Sequence, residues 1–91
     1  MIDRKTYLEM CQAVSVILAR REKQNIPESL LVVLDGIKYY PLSYSLSFDG
    51  SGNAVHRAVL HDLHANSING CLLSELDFCE NAKALDKPIQ K

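Results

Sequence analysis

The chain predicts an α+β fold: an N-terminal amphipathic helix packed on a four- to five-stranded antiparallel β-meander, with a short C-terminal helix. Three observations predict it. Residues 30 to 73 hold short runs of alternating apolar residues, broken by Asp-Gly at 35–36 and again at 49–50. Asp-Gly between such runs marks a hairpin, because a tight turn needs positive φ at its centre. Residues 3 to about 24 carry apolar side chains at helical spacing. Finally, 91 residues leave room for a single domain with a thin core. That domain is expected over residues 1–86, with 87–91 as a flexible tail.

The helix is expected from Asp3, a good N-cap, with Tyr7, Met10, Cys11, Val14, Ile17, Leu18 and Arg21 along one face. Arg20, Arg21 and Lys23 then occupy the last turn, where cations complement the helix dipole, and Asn25 and Pro27 end it.

A two-residue turn at Asp35-Gly36 sets Leu34 opposite Ile37, Val33 opposite Lys38, Val32 opposite Tyr39 and Leu31 opposite Tyr40. Neither face of this hairpin is strongly polar, so both are expected to be at least partly covered. Pro41 lacks a ladder donor and predicts an edge, a bulge or a break. The parity of apolar positions switches there, from odd numbers before it to Leu42, Tyr44, Leu46 and Phe48 after it. A one-residue bulge is the simplest device that does this.

The second hairpin closes through a five-residue loop, Asp49–Asn53. This sets Phe48 opposite Ala54, Leu46 opposite His56, Tyr44 opposite Ala58 and Leu42 opposite Leu60. Ser43, Ser45 and Ser47 then lie opposite Val59, Arg57 and Val55. The serine face therefore carries two valines. The helix is expected to cover one face, and the other is a candidate for a partner subunit. Ile68 to Leu73 reads as a last strand, and Ser74-Glu75-Leu76-Asp77 resembles the start of a helix over about 75 to 85.

Composition narrows the function classes. Ten basic against eleven acidic residues, a net charge of -1, argue against a dedicated nucleic-acid binder. Single-strand binding through the basic helix end, Arg57 and Tyr40 or Tyr44 is the weakest of the readings weighed. Three cysteines with no CxxC pairing, and no secretory leader read at the N-terminus, predict reduced thiols and a cytoplasmic protein. Val14–Ala19 is an apolar run of only six residues, so no membrane span is expected.

Chemistry is sparsely signalled. His56, His61 and His64, near Asp62 and Cys71, form only half of a zinc-ligand pattern, so neither metal nor cofactor is expected. Alternate serines are what a strand places on its more polar face, and no G-x-S-x-G, H-E-x-x-H or P-loop pattern is present. The loop Asp49–Asn53 lacks the acidic density of a calcium loop. No catalytic residue is assigned, and the chain is expected not to be an enzyme.

Asp35-Gly36, Tyr39-Tyr40-Pro41, Tyr44, Leu46, Phe48-Asp49, Gly52, Ala58 to Leu63 and Ala65-Asn66-Ser67 together resemble small uncharacterised proteins carried by phages and mobile elements of Gram-positive bacteria. That resemblance implies an accessory gene, of phage or prophage origin, and a stoichiometric role such as binding a host protein. The leading expectation is a non-enzymatic interaction protein acting as a homo-oligomer, most simply a dimer. The alternative is a small-molecule or nucleotide binder with its site at the subunit interface. His56, Arg57, His61, His64 and Asn66 would supply its polar contacts.

Overall fold

The computed structural model describes residues 2–62 and 64–79. Helix α1 spans Arg4–Ala19. Asp3 caps it as expected: the Thr6 N–H donates to Asp3 Oδ1 at 2.7 Å, satisfying one of the orphan donors of the first turn. Ile2 and Tyr7 occupy the positions before the cap and four residues after it, the two halves of a hydrophobic staple, and both are buried in one cluster.

The helix ends earlier than about residue 24. Arg20 is its C-cap and Arg21 follows at φ 58°. The Glu22 N–H donates to the Ile17 carbonyl (3.1 Å) and the Arg21 N–H to that of Leu18 (3.0 Å), the two bonds of a Schellman motif. Arg21 is thus an exposed left-handed residue, not part of the buried stripe. The cause is burial. Residues 20–25 contain no apolar side chain, so further helix would cover nothing, whereas turning brings Ile26 and Leu31 into the core.

Strands β1 (Val32–Leu34), β2 (Ile37–Phe48), β3 (Ala54–Asp62), β4 (Ile68–Leu72) and β5 (Asp77–Phe78) form one antiparallel sheet in the order β4-β3-β2-β1-β5. The β1–β2 register matches expectation at Val32–Tyr39, Val33–Lys38 and Leu34–Ile37. Asp35 and Gly36 both have positive φ, 52° and 80°, as the tight turn requires. The β2–β3 register matches too, from Ser43–Val59 to Phe48–Ala54. One pairing is corrected: Pro41, not Leu42, lies opposite Leu60, because the register shifts between Pro41 and Ser43. Leu42 is the extra residue of the bulge. β2 therefore bends through Pro41 without breaking.

After β4 the chain does not enter the expected C-terminal helix. Leu73–Glu75 is a 3₁₀ turn, and Asp77–Phe78 pairs with β1 as β5. Glu75 behaves locally as a capping residue would, accepting the Leu72 N–H at 2.9 Å. The chain then extends, because Leu76 and Cys79 bury their side chains and the Cys79 N–H reaches the Leu31 carbonyl. The remainder of the expected helix, and the tail at 87–91, lie outside the described residues.

Strands β4 and β5 are at opposite edges, yet only residues 73–76 join them. Five residue steps reach at most about 18 Å when fully extended, and the 3₁₀ turn shortens this further. In a flat sheet the edges would stand four spacings, about 19 Å, apart. The sheet is therefore curled into an open half-barrel. Its concave side holds Val32, Tyr39, Ala58, Leu60 and Cys71 against Tyr7, Met10 and Cys11 of α1. Tyr40 points the other way from Tyr39, yet it too is buried, with Val14, Ile26, Leu31 and Cys79. Both faces are thus covered near the first hairpin, as its apolar pattern suggested. Glu28 ties this end together, accepting from Lys38 Nζ (3.1 Å) and the Cys79 thiol (3.0 Å).

At the centre, the fully buried Tyr7 hydroxyl lies 2.9 Å from the Ser43 carbonyl and 3.1 Å from the Val59 carbonyl. It binds the helix to the paired residues just beyond the bulge. Burial pushes the Tyr7 phenol far above its ordinary pKa.

The left-handed Arg21 makes a direct prediction. Glycine carries no Cβ penalty at this position, so Arg21→Gly should raise the unfolding free energy by about 0.5–1 kcal/mol in denaturant titrations. Equal or lower stability would contradict the cap geometry.

Candidate functional site

Within one chain the five candidate ligand residues divide among three places. His56 and Arg57 are neighbours on β3 and so face opposite sides of the sheet. His56 is half-buried on the helix side, where its Nδ1 shares a hydrogen bond with the Tyr44 hydroxyl and the two rings stack. Arg57 is exposed on the convex side, between Ser45 and Leu72. His61 is on the same side as Arg57 but buried, its ring 4.9 Å from that of Tyr40. Its Nδ1 has no hydrogen-bond partner among the described residues.

His64 and Asn66 lie in the β3–β4 turn. Asn66 takes the left-handed conformation (φ 53°) and accepts from Lys23 Nζ at 3.4 Å. These two do come together, lining an open groove of about 510 Å³ with Lys23, Gln24 and Ile26. Among the described residues, no group of three or more His, Cys, Asp or Glu side chains is placed to hold a metal ion. Ser43, Ser45 and Ser47 lie on the face opposite His56, so that histidine cannot serve any of them as a base.

The registers instead assemble a different surface. Across the convex side run three rows: Ser45–Arg57–Leu72, Ser43–Val59–Gly70 and, at the covered end, Tyr40–His61–Ile68. Ser47–Val55 extends the platform towards the hairpin tip. β2 contributes a column of small hydroxyls and β4 an apolar column, with Ile68 64% and Leu72 39% exposed. Arg57 is the one charged side chain in these rows. The concave side also opens at the hairpin tip, where Leu46 and Phe48 extend past the helix, Phe48 67% exposed.

A second groove, of about 390 Å³, lies where the N-terminus meets the ends of β3 and β4, lined by Ile2, Arg4, Val55, His56, Leu72 and Leu73 among others. The Arg4 guanidinium sits 5.6 Å from the centre of the Tyr44 ring, a cation–π contact at the groove's rim. Sequence reasoning passed over this groove, although Ile2 before a capping Asp3 is itself a legible staple signal.

Cys11, Cys71 and Cys79 are free and buried. Burial raises the pKa of the Cys11 and Cys71 thiols, keeping them protonated and poor nucleophiles. Among the described residues no helix is long and apolar enough to cross a membrane. Comparison with known protein families, with curated proteins and with solved structures gives no match to this chain.

The turns beside the platform rest on carboxylates. Asp49 Oδ1 accepts the Ser51 and Asn53 N–H groups (2.8 and 2.9 Å), and Asp62 Oδ1 accepts those of His64 and Ala65 (2.8 and 3.2 Å). The Asn53 N–H is the main cause holding Asp49 below the ordinary carboxylate range, and the His64 N–H does the same for Asp62. Asp3 and Glu28 are lowered too, chiefly by Thr6 and by the Cys79 thiol respectively. A depressed folded-state pKa gives stability that is present above the unfolded value and lost as pH falls through the folded one. The melting temperature should therefore lose its carboxylate contribution below about pH 4. Asparagine at 49 and 62 keeps an acceptor for the same N–H groups, so Asp49→Asn/Asp62→Asn should flatten that acid limb in pH-dependent melts. An unchanged limb would contradict the assignment.

Proposed function

We propose that this chain is a non-enzymatic protein-interaction module that acts as a homo-oligomer, most simply a dimer, and works by occluding a partner protein. The observation that carries the reading is the convex face of β2–β3–β4. Val55, Val59, Ile68 and Leu72 share it with three serines and one arginine, while Tyr7, Met10 and Cys11 of the helix are engaged on the opposite side. Contiguous apolar surface with little charge is what protein interfaces desolvate at modest cost. An accessory origin in a phage or mobile element, with a host protein as target, rests on the sequence resemblance. The cytoplasm is the compartment in which three free thiols are kept reduced.

A second reading has its own support. The apolar groove bordered by Arg4 and His56 is large enough for a small molecule, and a carboxylate or phosphate there would meet the arginine. A neighbouring subunit could close it, and His64 and Asn66 offer polar contacts at the other groove.

Native mass spectrometry of the purified protein at near-physiological ionic strength separates these readings. A dimer with no excess mass is the expected result. An oligomer that retains excess mass per subunit would transfer the argument to ligand binding, and a monomer at all concentrations would contradict the oligomer.

A further inference from the structure

We propose that β4 is the dimer contact: its free edge pairs antiparallel with β4 of a second copy, the two-fold axis passing through Gly70. This rests on the homo-oligomer reading above and names the surface that makes it. Among the described residues β4 is bonded to β3 on one side only, and it is the longer of the two edge strands. Natural edges are usually blunted by charge, proline or a bulge. Ile68-Asn69-Gly70-Cys71-Leu72 contains no charged residue and no proline, and its register with β3 is unbroken.

The backbone has the right parity. The Asp62 N–H donates to the Ser67 carbonyl, so the alternation of an antiparallel ladder turns the N–H and C=O groups of Ile68, Gly70 and Leu72 outward. The Leu72 N–H agrees independently, since it is bonded to Glu75 and not to β3.

The side chains have the right symmetry. A two-fold axis at Gly70 places Ile68 of each copy against Leu72 of the other. These are the two exposed apolar side chains of the strand, and both lie on the convex face. Joined this way, the row Ser45–Arg57–Leu72 of one copy continues into Ile68, His61 and Tyr40 of the other. No like charges meet across the seam. A side chain at 70 would oppose its own copy at close range, and glycine removes that contact. Glu75 modulates the pairing: in one chain it holds the Leu72 N–H that the partner's Ile68 carbonyl would take.

Sedimentation equilibrium over a range of concentrations tests this on the full chain. Ile68→Lys places a charge on an already exposed position, so the monomer should fold normally while the dimer dissociation constant rises by about tenfold or more. Gly70→Pro should do the same, because the lost N–H points away from β3. Glu75→Ala, which frees the Leu72 donor, should tighten the dimer. Val16→Lys, on the exposed side of α1, should leave it unchanged. A wild-type dimer that Ile68→Lys and Gly70→Pro do not weaken would overturn the β4 contact while leaving the oligomer reading intact. A dimer that Glu75→Ala fails to tighten would overturn this register. A wild-type monomer throughout would remove both.

Discussion

The Tyr7 hydroxyl is the contact on which the rest of the arrangement depends. One buried phenol bridges the Ser43 and Val59 carbonyls, which belong to paired residues immediately after the β2 bulge. A bulge leaves the local ladder incomplete and sharpens the twist of its strand. Ser43 and Val59 are already partners in the β2–β3 ladder, and the single phenolic proton adds a bond from the helix worth about 0.5–1.5 kcal/mol. The helix supplies the donor, and Asp3 and Ile2 fix the first turn so that Tyr7 arrives where it is needed. Cap, staple, phenol and bulge thus form one connected set.

That set also decides which surface is left over. With Tyr7, Met10 and Cys11 of α1 held on the concave side, the even-numbered residues of β3 from Ala58 to Asp62 are buried, while Val55, Arg57 and Val59 face outward with the serines of β2. The short β4–β5 connection forces the sheet to curl, which closes the core around a thin set of side chains; among the described residues nothing covers the middle of the convex platform or pairs with the outer edge of β4. In a chain of this size the interior cannot absorb every apolar residue. Ile68 and Leu72 on β4 are among the apolar side chains left exposed, as are Leu46 and Phe48 at the hairpin tip.

Much of the fold was legible in the sequence, for local reasons. Asp35-Gly36 and the loop Asp49–Asn53 specify turn geometry, and turn geometry specifies register. The bulge at Pro41 was visible as a change of parity between Tyr39 and Tyr44. Two features were hidden wholly or in part because distant contacts decided them. The helix stops at Ala19 because Arg20–Asn25 offers nothing to bury while Ile26 and Leu31 have a core to enter; the first half is readable in the run itself, the second depends on the distant contacts. Ser74-Glu75-Leu76-Asp77 carries helix-start chemistry, and Glu75 does cap a backbone donor, yet pairing with β1 draws the next residues into a strand. Of the candidate site, proximity in sequence misled: His56 and Arg57 are separated by strand alternation, and His61 by burial against Tyr40. The serine face with its valines was the better guide to the exposed platform.

The most direct measurement on the central contact is solution NMR of the Tyr7 hydroxyl proton. A buried donor held between two carbonyls should exchange with solvent slowly enough to give a resolved signal, with cross-peaks to protons of Ser43 and Val59. Absence of that signal, together with ionisation of Tyr7 at the pH of an ordinary phenol, would contradict the account.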